Sequence, residues 1–344
     1  MTFRKDIQIL RAIAIIQVLF FHLNIKFFEN GYLGVDIFFV ISGFLMASLY
    51  KDSSYKYFYI KRINRLLPPY YFTLLITLIL AFLYIQYSEF MQTIKQIWFS
   101  LGFISNIGFW YENSYFNKDS FRPLLHLWSL SIEFQFYIAV PILAFMLRKN
   151  ILLIYFLFIT SILFCFIATQ ISPKTSFFII FFRIWEFLIG YLIASISVFK
   201  NLHKRKSILL QLISFLLFFI ISGLSYFYST FSFININATD FITGHPGITA
   251  LFTCLLTASL LILGLPSIIQ NSILGNILAK IGDYSYSLYL LHYPIIIFFL
   301  YEPFMGSSTT FESNLKMLII LFVIILLTII FQKIIFSEKV KKFY

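Results

Sequence analysis

The stretch "LRAIAIIQVLFFH", residues 10–22, decides the fold class of this chain. It is apolar for most of its length and predicts a membrane-spanning helix, yet it carries Arg11 near its start and His22 at its end. At 100° per residue these two side chains lie about 20° apart around a helix, so they share one face. The rise per residue separates them by roughly 16 Å along the helix axis. The first span is therefore predicted to carry a polar stripe into the membrane.

The whole chain has the composition of a polytopic membrane protein. Hydrophobic residues make up 60% of its 344 positions and charged residues 12%, and the mean hydropathy is +0.89. Soluble domains carry about twice that share of charge. We therefore predict an all-α fold in which residues 1–344 form a single transmembrane domain. Ten apolar blocks are long enough to cross a hydrocarbon core of about 30 Å: 8–26, 32–50, 70–87, 127–147, 151–170, 177–199, 208–228, 247–265, 284–302 and 316–336.

The distribution of basic residues predicts the topology. An eleventh apolar block, 95–110, is short and is interrupted by Gly102, Asn106 and Gly108. If this block does not cross and the N-terminus is cytoplasmic, 18 basic residues lie inside and 6 outside; if it crosses, the numbers are 11 and 13. Because cytoplasmic loops are rich in Lys and Arg, we predict ten spans with both termini in the cytoplasm. The block 95–110 is then packed against the outer surface or re-entrant.

The net charge of +12 fits the same topology. Basic cytoplasmic loops are attracted to anionic membrane lipid, so the charge does not require a nucleic-acid partner. We expect no nucleic-acid binding.

Three ionisable residues are predicted at a similar depth in the outer third of the membrane. They are His22, Asp36 in "GYLGVDIFFVISGF" and Glu133 in "HLWSLSIEFQFY". The midpoint between His22 and Asp36 is residue 29, so an antiparallel helix pair that turns there would bring them to one depth. Ionisable residues are rare inside spans and mark functional sites by default.

Other intramembrane polar residues have structural interpretations. Arg183 and Glu186 lie one helical turn apart and are interpreted as an ion pair, for which Asp36 or Glu133 could supply a further partner. His292 precedes Pro294 and is interpreted as a donor to carbonyls that the proline leaves without a partner. His126 fits the edge of an aromatic belt.

The polar stripe suits acyl transfer from a phosphorylated donor. A neutral imidazole near a carboxylate is a typical general base, which makes His22, with Asp36 and Glu133, the candidate catalytic group. Arg11, together with Arg62 and Arg65 in "KRINRLLPPY", is predicted toward the cytoplasmic side, where guanidinium groups would bind phosphates. Acyl-coenzyme A has a phosphorylated head group that these arginines could bind, and a long arm that could reach His22. No zinc motif or Gly-rich phosphate loop occurs, so no metal is expected.

The chain resembles the acyltransferase-3 family of bacterial membrane acyltransferases over nearly its whole length. The resemblance is carried by six motifs in order: the Arg-x10-His spacing of Arg11 and His22, "GVDIFFVISGF" (34–44), the Arg-x-x-Arg pair 62 and 65, "HLWSLSIEFQFY" (126–137), "RIWEFLIG" (183–190) and "GDYSYSLYLLHYP" (282–294). The resemblance implies that Arg11, His22, Asp36 and Glu133 belong to the functional core. It also implies that acyl-CoA enters from the cytoplasm.

The resemblance further implies the substrates and the location. Members of this family O-acylate lipopolysaccharides, exopolysaccharides, peptidoglycan, Nod factors and macrolides, most often with acetyl groups. We therefore expect acetyl-CoA as donor, a glycan or glycolipid as acceptor, and a place in the bacterial cytoplasmic (inner) membrane, in contact with membrane lipid. Many members append an SGNH-type hydrolase domain, which this sequence lacks as far as Tyr344. Any later transfer step would then need another protein, such as a partner in polysaccharide assembly, or none at all.

Two other classes of function are open to the same residues. A proton-coupled secondary transporter or exporter could relay protons through His22, Asp36 and Glu133. Repeated halves are common in transporters, and residues 1–170 and 171–344 show no such correspondence. A structural membrane partner with a degenerate site is the third alternative, and the intact motifs disfavour it. Neither the acyl group, the acceptor hydroxyl nor the choice between an acyl-histidine and direct transfer follows from the sequence.

Overall fold

The computed structural model describes residues 4–50, 54–112, 121–195, 208–223, 244–303, 306–307 and 313–335. This part of the chain is almost entirely α-helical, as the sequence predicts. The helices are α1 Lys5–His22, α2 Gly34–Tyr50, α3 Tyr55–Tyr84, α4 Tyr87–Leu101, α5 Ser105–Tyr111, α6 Leu127–Lys149, α7 Ile151–Ile171, α8 Pro173–Phe178, α9 Ile180–Ser195, α10 Ile208–Gly223, α11 Ile248–Leu263, α12 Ser267–Asn271, α13 Ile273–Phe299 and α14 Asn314–Ile335. Two short strands, β1 Tyr301–Glu302 and β2 Gly306–Ser307, pair antiparallel.

Several of these helices are long and apolar enough to cross a membrane. Within the described residues five segments meet both conditions: Gly31–Tyr50, Tyr55–Tyr84, Leu127–Lys149, Ile151–Ile171 and Asn314–Ile334. Shorter apolar helical segments are present at Ile208–Phe218 and Ile248–Leu263. The chain is therefore a multi-pass membrane protein, while the number of ten spans stays a prediction.

The described residues form two compact units that interleave along the chain. The first unit consists of the described residues within 1–21, 25–53 and 135–283, and the second of the described residues within 22–24, 54–134 and 284–344. Helices α6 and α13 each contribute residues to both units, because the boundary between the units falls within each of these helices.

In the first unit, two glycines set the register of α1 against α2. A Cβ built on Gly31 would lie 2.1 Å from the carbonyl oxygen of Gln17, and one built on Gly34 would lie 2.4 Å from that of Ala14. These contacts pair residue 31 with 17 and residue 34 with 14, so the antiparallel pair is centred near residue 24. The expected centre at residue 29 is wrong, because two short 3-10 turns occupy the connection. This register therefore gives no support to the prediction that His22 and Asp36 lie at the same depth in the membrane.

Helices α2 and α9 of the first unit pack closely and run in the same direction. A Cβ on Gly43 would lie 1.9 Å from the carbonyl oxygen of Phe187, and a Cβ on Gly190 would lie 1.9 Å from that of Val40. Toward the start of both helices, Asp36 bonds Arg183. The Asp36–Arg183 pair thus precedes the glycine contacts on both helices, by four to seven residues on each, which makes the pair parallel. Small residues that allow such close backbone approach are typical of helix contacts in membranes.

In the second unit, an apolar cluster joins α3, α4, α6 and α13. Its buried members are Tyr70, Leu74, Ile97, Phe103, Leu124, Leu127 and Leu290. Helix α3 starts at Tyr55 and continues through Pro68 and Pro69, so Arg62 and Arg65 lie on a helix and not in a loop before a span beginning at residue 70. The unit thus holds the two arginines on a rigid element.

Candidate active site

Three imidazoles from distant parts of the sequence meet in the second unit. The Nε2 atom of His292 lies 3.3 Å from Nδ1 of His22, and the ring centroids of His126 and His292 are 5.6 Å apart. Tyr293 contacts all three rings, with centroid distances of 4.9 Å to His22, 5.3 Å to His126 and 6.2 Å to His292. His126 and His292 are buried, whereas His22 is only partly buried. We call His22, His126, His292 and Tyr293 the histidine cluster.

The proline in α13 explains why His126 is part of the cluster. Pro294 has no N–H, so the carbonyl of Leu290, four residues earlier, loses its helical donor. His126 donates from Nε2 to that carbonyl oxygen across 3.2 Å. His292 instead bonds the carbonyl of Tyr289, with 2.7 Å between Nδ1 and the oxygen. The interpretation that His292 serves the carbonyl freed by the proline is therefore wrong, and His126 has that role.

Helix α6 carries a polar stripe that includes Ser129, which contacts α13, and Glu133. The hydroxyl groups of Ser129 and Tyr289 are 2.6 Å apart, and Tyr289 also donates to the carbonyl of His126 at 3.1 Å. Glu133 is partly buried and lies one turn after Ser129 on the same side of α6. Glu133 therefore lies on the side of α6 that, at Ser129, contacts the helix carrying His292.

The arginine pair Arg62 and Arg65 lies on α3, one helical turn apart and partly buried. Tyr286 of α13 donates to the carbonyl of Leu66 at 2.9 Å, which fixes the level of the pair relative to α13. The backbone N–H of Gln86, just after α3, donates to the hydroxyl of Tyr301, just after α13, so these two helices run in the same direction. His292 lies six residues after Tyr286, and Arg62 lies four residues before Leu66. Together these ten residues correspond to roughly 15 Å of rise. The guanidinium pair and the histidine cluster are therefore separated mainly along the helix axes of this unit.

In the first unit, Asp36 belongs to a buried ion-pair cluster. Its Oδ1 lies 2.7 Å from Nη2 of Arg183, and Nε of Arg183 lies 3.2 Å from Oε1 of Glu186, all three side chains having no exposed surface. His245 accepts from Nη1 of Arg183 at 3.2 Å. Burial lowers the pKa of His245 to about 4, an effect that Asp36 opposes and Arg183 reinforces. We call Asp36, Arg183, Glu186 and His245 the Arg183 cluster.

The Arg183 cluster agrees with the ion-pair interpretation of this motif. The carboxylate of Asp36 compensates a guanidinium that is itself fully buried, and aromatic rings of Phe39 and Phe177 lie 5.5 and 5.7 Å from its Cζ atom. A buried charge needs such partners. Arg11, also in the first unit, is partly buried and donates from Nη1 to Oε1 of Gln8 at 3.3 Å.

Sequence reasoning singled out His22 and Glu133 but missed the partners of His22. Pro294 is the sequence signal for such a partner, because it leaves the carbonyl of Leu290 in need of a hydrogen-bond donor from a neighbouring element. The identity of that donor, His126, depends on the packing of α6 against α13. Among the described residues, no group of three His, Cys, Asp or Glu side chains is arranged to hold a metal ion.

The fold and site define a multi-pass, all-α membrane protein with a histidine cluster and, roughly 15 Å away along the helix axes, a helical arginine pair. The chain belongs to the acyltransferase family, because the family model described as "Acyltransferase domain" matches residues 4–333. It is similar to O-acetyltransferase OatA from Staphylococcus aureus strains NCTC 8325 / PS 47 and COL, with 33% identity over 319 residues in each case. The match covers 84% of this chain and 50% of each relative, so the chain spans about half their length. No solved structure matches.

Proposed function

We propose that this protein transfers an acyl group from acyl-CoA on the cytoplasmic side to a hydroxyl group of a cell-surface or exported saccharide. The proposal depends on one observation, the close approach of His22, His292 and His126. These histidines come from three separate family motifs. His22 lies within hydrogen-bonding distance of His292, and the ring of His126 contacts that of His292. Imidazoles held in this way are suited to proton transfer from a hydroxyl group. His22 is proposed as the general base or as the residue that carries the acyl group.

The donor is proposed to extend from the arginine pair to the histidine cluster. Arg62 and Arg65, one turn apart, would bind coenzyme A phosphates through charge-assisted hydrogen bonds. The roughly 15 Å of rise between them and His292 is comparable with an extended pantetheine arm. Arg11, on the same helix as His22, is proposed as a further donor-binding residue. No metal takes part in the proposal.

The remaining candidate residues have supporting roles in the proposal. Glu133 would orient or stabilise a charged imidazole from its position on the α6 stripe. Asp36 is paired with Arg183 at 2.7 Å, and we propose that it serves the reaction by holding α2 against α9, rather than by contacting the reacting atoms. It is a positioning residue in this account.

The acyl group is proposed to be acetyl, because the relatives are named O-acetyltransferases. The acceptor is proposed to be a glycan or glycolipid, in keeping with the resemblance, and the location to be a bacterial cytoplasmic membrane. Partner proteins of polysaccharide assembly would supply or receive the acceptor.

Transfer can be tested with the purified protein in lipid vesicles. Acetyl-CoA with an isotope-labelled acetyl group is supplied together with glycans extracted from the source cells, and labelled ester on the glycans is measured by mass spectrometry. We expect label on the glycans only when the protein is present. Passage of unmodified saccharide across the vesicle membrane, with no label transferred, would favour the transporter instead.

A further inference from the structure

His292 has a defined tautomer because of the atoms around it. Its Nδ1 lies 2.7 Å from the carbonyl oxygen of Tyr289 and 3.2 Å from that of Leu288. A carbonyl oxygen only accepts hydrogen bonds, so Nδ1 of His292 must carry the proton. In the neutral ring the other nitrogen, Nε2, then has a lone pair and accepts.

The tautomer of His292 determines that of His22. Nε2 of His292 lies 3.3 Å from Nδ1 of His22, within hydrogen-bonding distance. Since Nε2 of His292 accepts, Nδ1 of His22 must donate, and the neutral His22 ring then has its basic lone pair on Nε2. We infer that His292 is a positioning residue that holds His22 in the tautomer with Nδ1 protonated and Nε2 basic.

This inference rests on the proposed function and deepens it, because it states which atom of His22 receives the proton. The O–H bond of the acceptor hydroxyl breaks and its proton moves to Nε2 of His22. The oxygen forms a bond to the acyl carbon, and the C–S bond of acyl-CoA breaks. The proton then passes from His22 to the leaving sulfur, which gives coenzyme A and the ester. While His22 is charged, its Nδ1–H remains bonded to Nε2 of His292.

The arrangement uses two successive hydrogen bonds, from His22 to His292 and from His292 to the backbone of α13. A second group that fixes the tautomer and orientation of a catalytic imidazole is a general requirement of such bases. Here the final acceptor is a main-chain carbonyl, so the orientation of His22 is tied to the backbone of one helix turn.

The tautomer can be measured without any catalytic assay. The chain has only 5 histidines, so the full-length protein with ¹⁵N-labelled histidine in lipid bilayers gives a simple solid-state NMR spectrum. His22→Gln identifies the signals of His22 by their loss. We expect a protonated Nδ1 and an unprotonated Nε2 for His22 at pH 7. A protonated Nε2 with an unprotonated Nδ1 would overturn the inference.

Two substitutions at position 292 test the functional consequence. His292→Leu keeps the size of the side chain but removes the acceptor, and it should lower kcat by about 10²-fold or more while the KM for acyl-CoA stays unchanged. His292→Gln can offer an amide oxygen near the place of Nε2 and should recover a large part of the lost kcat. Unchanged kcat in a folded His292→Leu protein would overturn the inference.

Ser287→Ala is the matched control on the same helix. It removes the partly buried hydrogen bond of 2.6 Å from Ser287 to Gln332, and should lower stability without a comparable loss of kcat. If His292→Leu does not fold, the inference is still tested by the tautomer of His22 in the wild-type spectrum and by the kcat of His292→Gln. Failure of the proposed function is recognised separately: glycans would receive no acyl group even from the wild-type protein, whatever the tautomer of His22.

Discussion

The residues that would bind the donor can be separated from those that would react with it. Arg62→Ala and Arg65→Ala should each raise the KM for acyl-CoA and leave kcat nearly unchanged, because these guanidinium groups would bind the phosphates equally in the ground state and the transition state. The expected cost is about 1–3 kcal/mol of donor binding, as for hydrogen bonds to charged groups. Initial rates at varied acyl-CoA concentration measure it. Lys61→Ala, which removes a charge from the same helix, is the control. A normal KM in both arginine variants would show that the pair only orients the protein in the membrane.

Arg183 is the residue on which the buried ion-pair cluster depends. Arg183→Met should destabilise the protein by about 3–5 kcal/mol, because Asp36 and Glu186 would stay buried without their cation. Loss of folded protein on heating or with increasing denaturing detergent measures the effect. Arg148→Met, at the exposed end of α6, should have little effect. Equal stability of the two variants would mean that the cluster contributes nothing to the fold.

His22 could be identified from the sequence, but its surroundings could not. An imidazole inside an apolar block is rare enough to attract attention by itself. Its partner His292 is 270 positions away, and no periodicity links two residues so far apart. The interpretation of Arg183 and Glu186 succeeded because both lie on one helix turn. The partner Asp36 was only one of two alternatives, since its choice depends on how α2 packs against α9.

The elements of the fold depend on close backbone contacts at a few glycines. Gly43→Ala and Gly190→Ala should each destabilise the protein by about 1–3 kcal/mol, the usual cost of overpacking. The added methyl group would meet the carbonyl of Phe187 or Val40, respectively, at 1.9 Å, so α2 and α9 would have to separate. Gly102→Ala is the control, because the nearest atom to its Cβ would be 3.5 Å away. Thermal unfolding in detergent compares the three. Equal stability of all three would contradict the packing described for α2 and α9.

The hydropathy of the sequence located apolar helical segments but not the ends of the helices. Helix α3 begins at Tyr55, well before the apolar block at 70–87, because Pro68 and Pro69 are accommodated inside a helix instead of ending it. Hydropathy identifies the apolar part of a helix but does not detect a polar extension such as residues 55–69 of α3. The block 95–110 is divided between α4 and α5, with the break at Gly102 that its sequence indicated.

Helix α4 has a polar buried side and a mixed exposed side. Its buried side includes Glu89, Thr93, Gln96 and Ser100, while Tyr87, Met91, Trp98 and Leu101 are exposed together with Gln92 and Lys95. Exposed aromatic and basic side chains suit the interface between lipid and water. Fifteen residues give a length of about 22 Å, less than the hydrocarbon core. These features favour a re-entrant or interfacial position for this helix.

For the whole molecule, the direction of two helices bears on the topology. Because α2 and α9 are parallel, an odd number of spans must separate them. Helices α3, α6 and α7 supply three, and a crossing at 95–110 would make four. The parallel packing therefore favours the ten-span prediction, which the basic residues favour independently.

Cysteine accessibility from outside the cell tests that topology. Cysteines substituted at Lys95 and at Lys118, a position outside the described residues, should both react with a membrane-impermeant thiol reagent. Removing Cys165 and Cys254 beforehand leaves the introduced thiol as the single target. A cytoplasmic location of residue 118 would require 95–110 to cross and would contradict the parallel packing.

The central claim is that His22 performs the acyl transfer in the living cell. Surface glycans are compared by mass spectrometry from cells that lack the gene and carry either the wild-type gene or His22→Ala, with equal amounts of protein verified in the membrane. We expect acylated glycans with the wild-type gene and none with His22→Ala, because loss of a positioned base costs about 10²- to 10⁴-fold in rate. Normal acylation by a well-folded His22→Ala protein would contradict it.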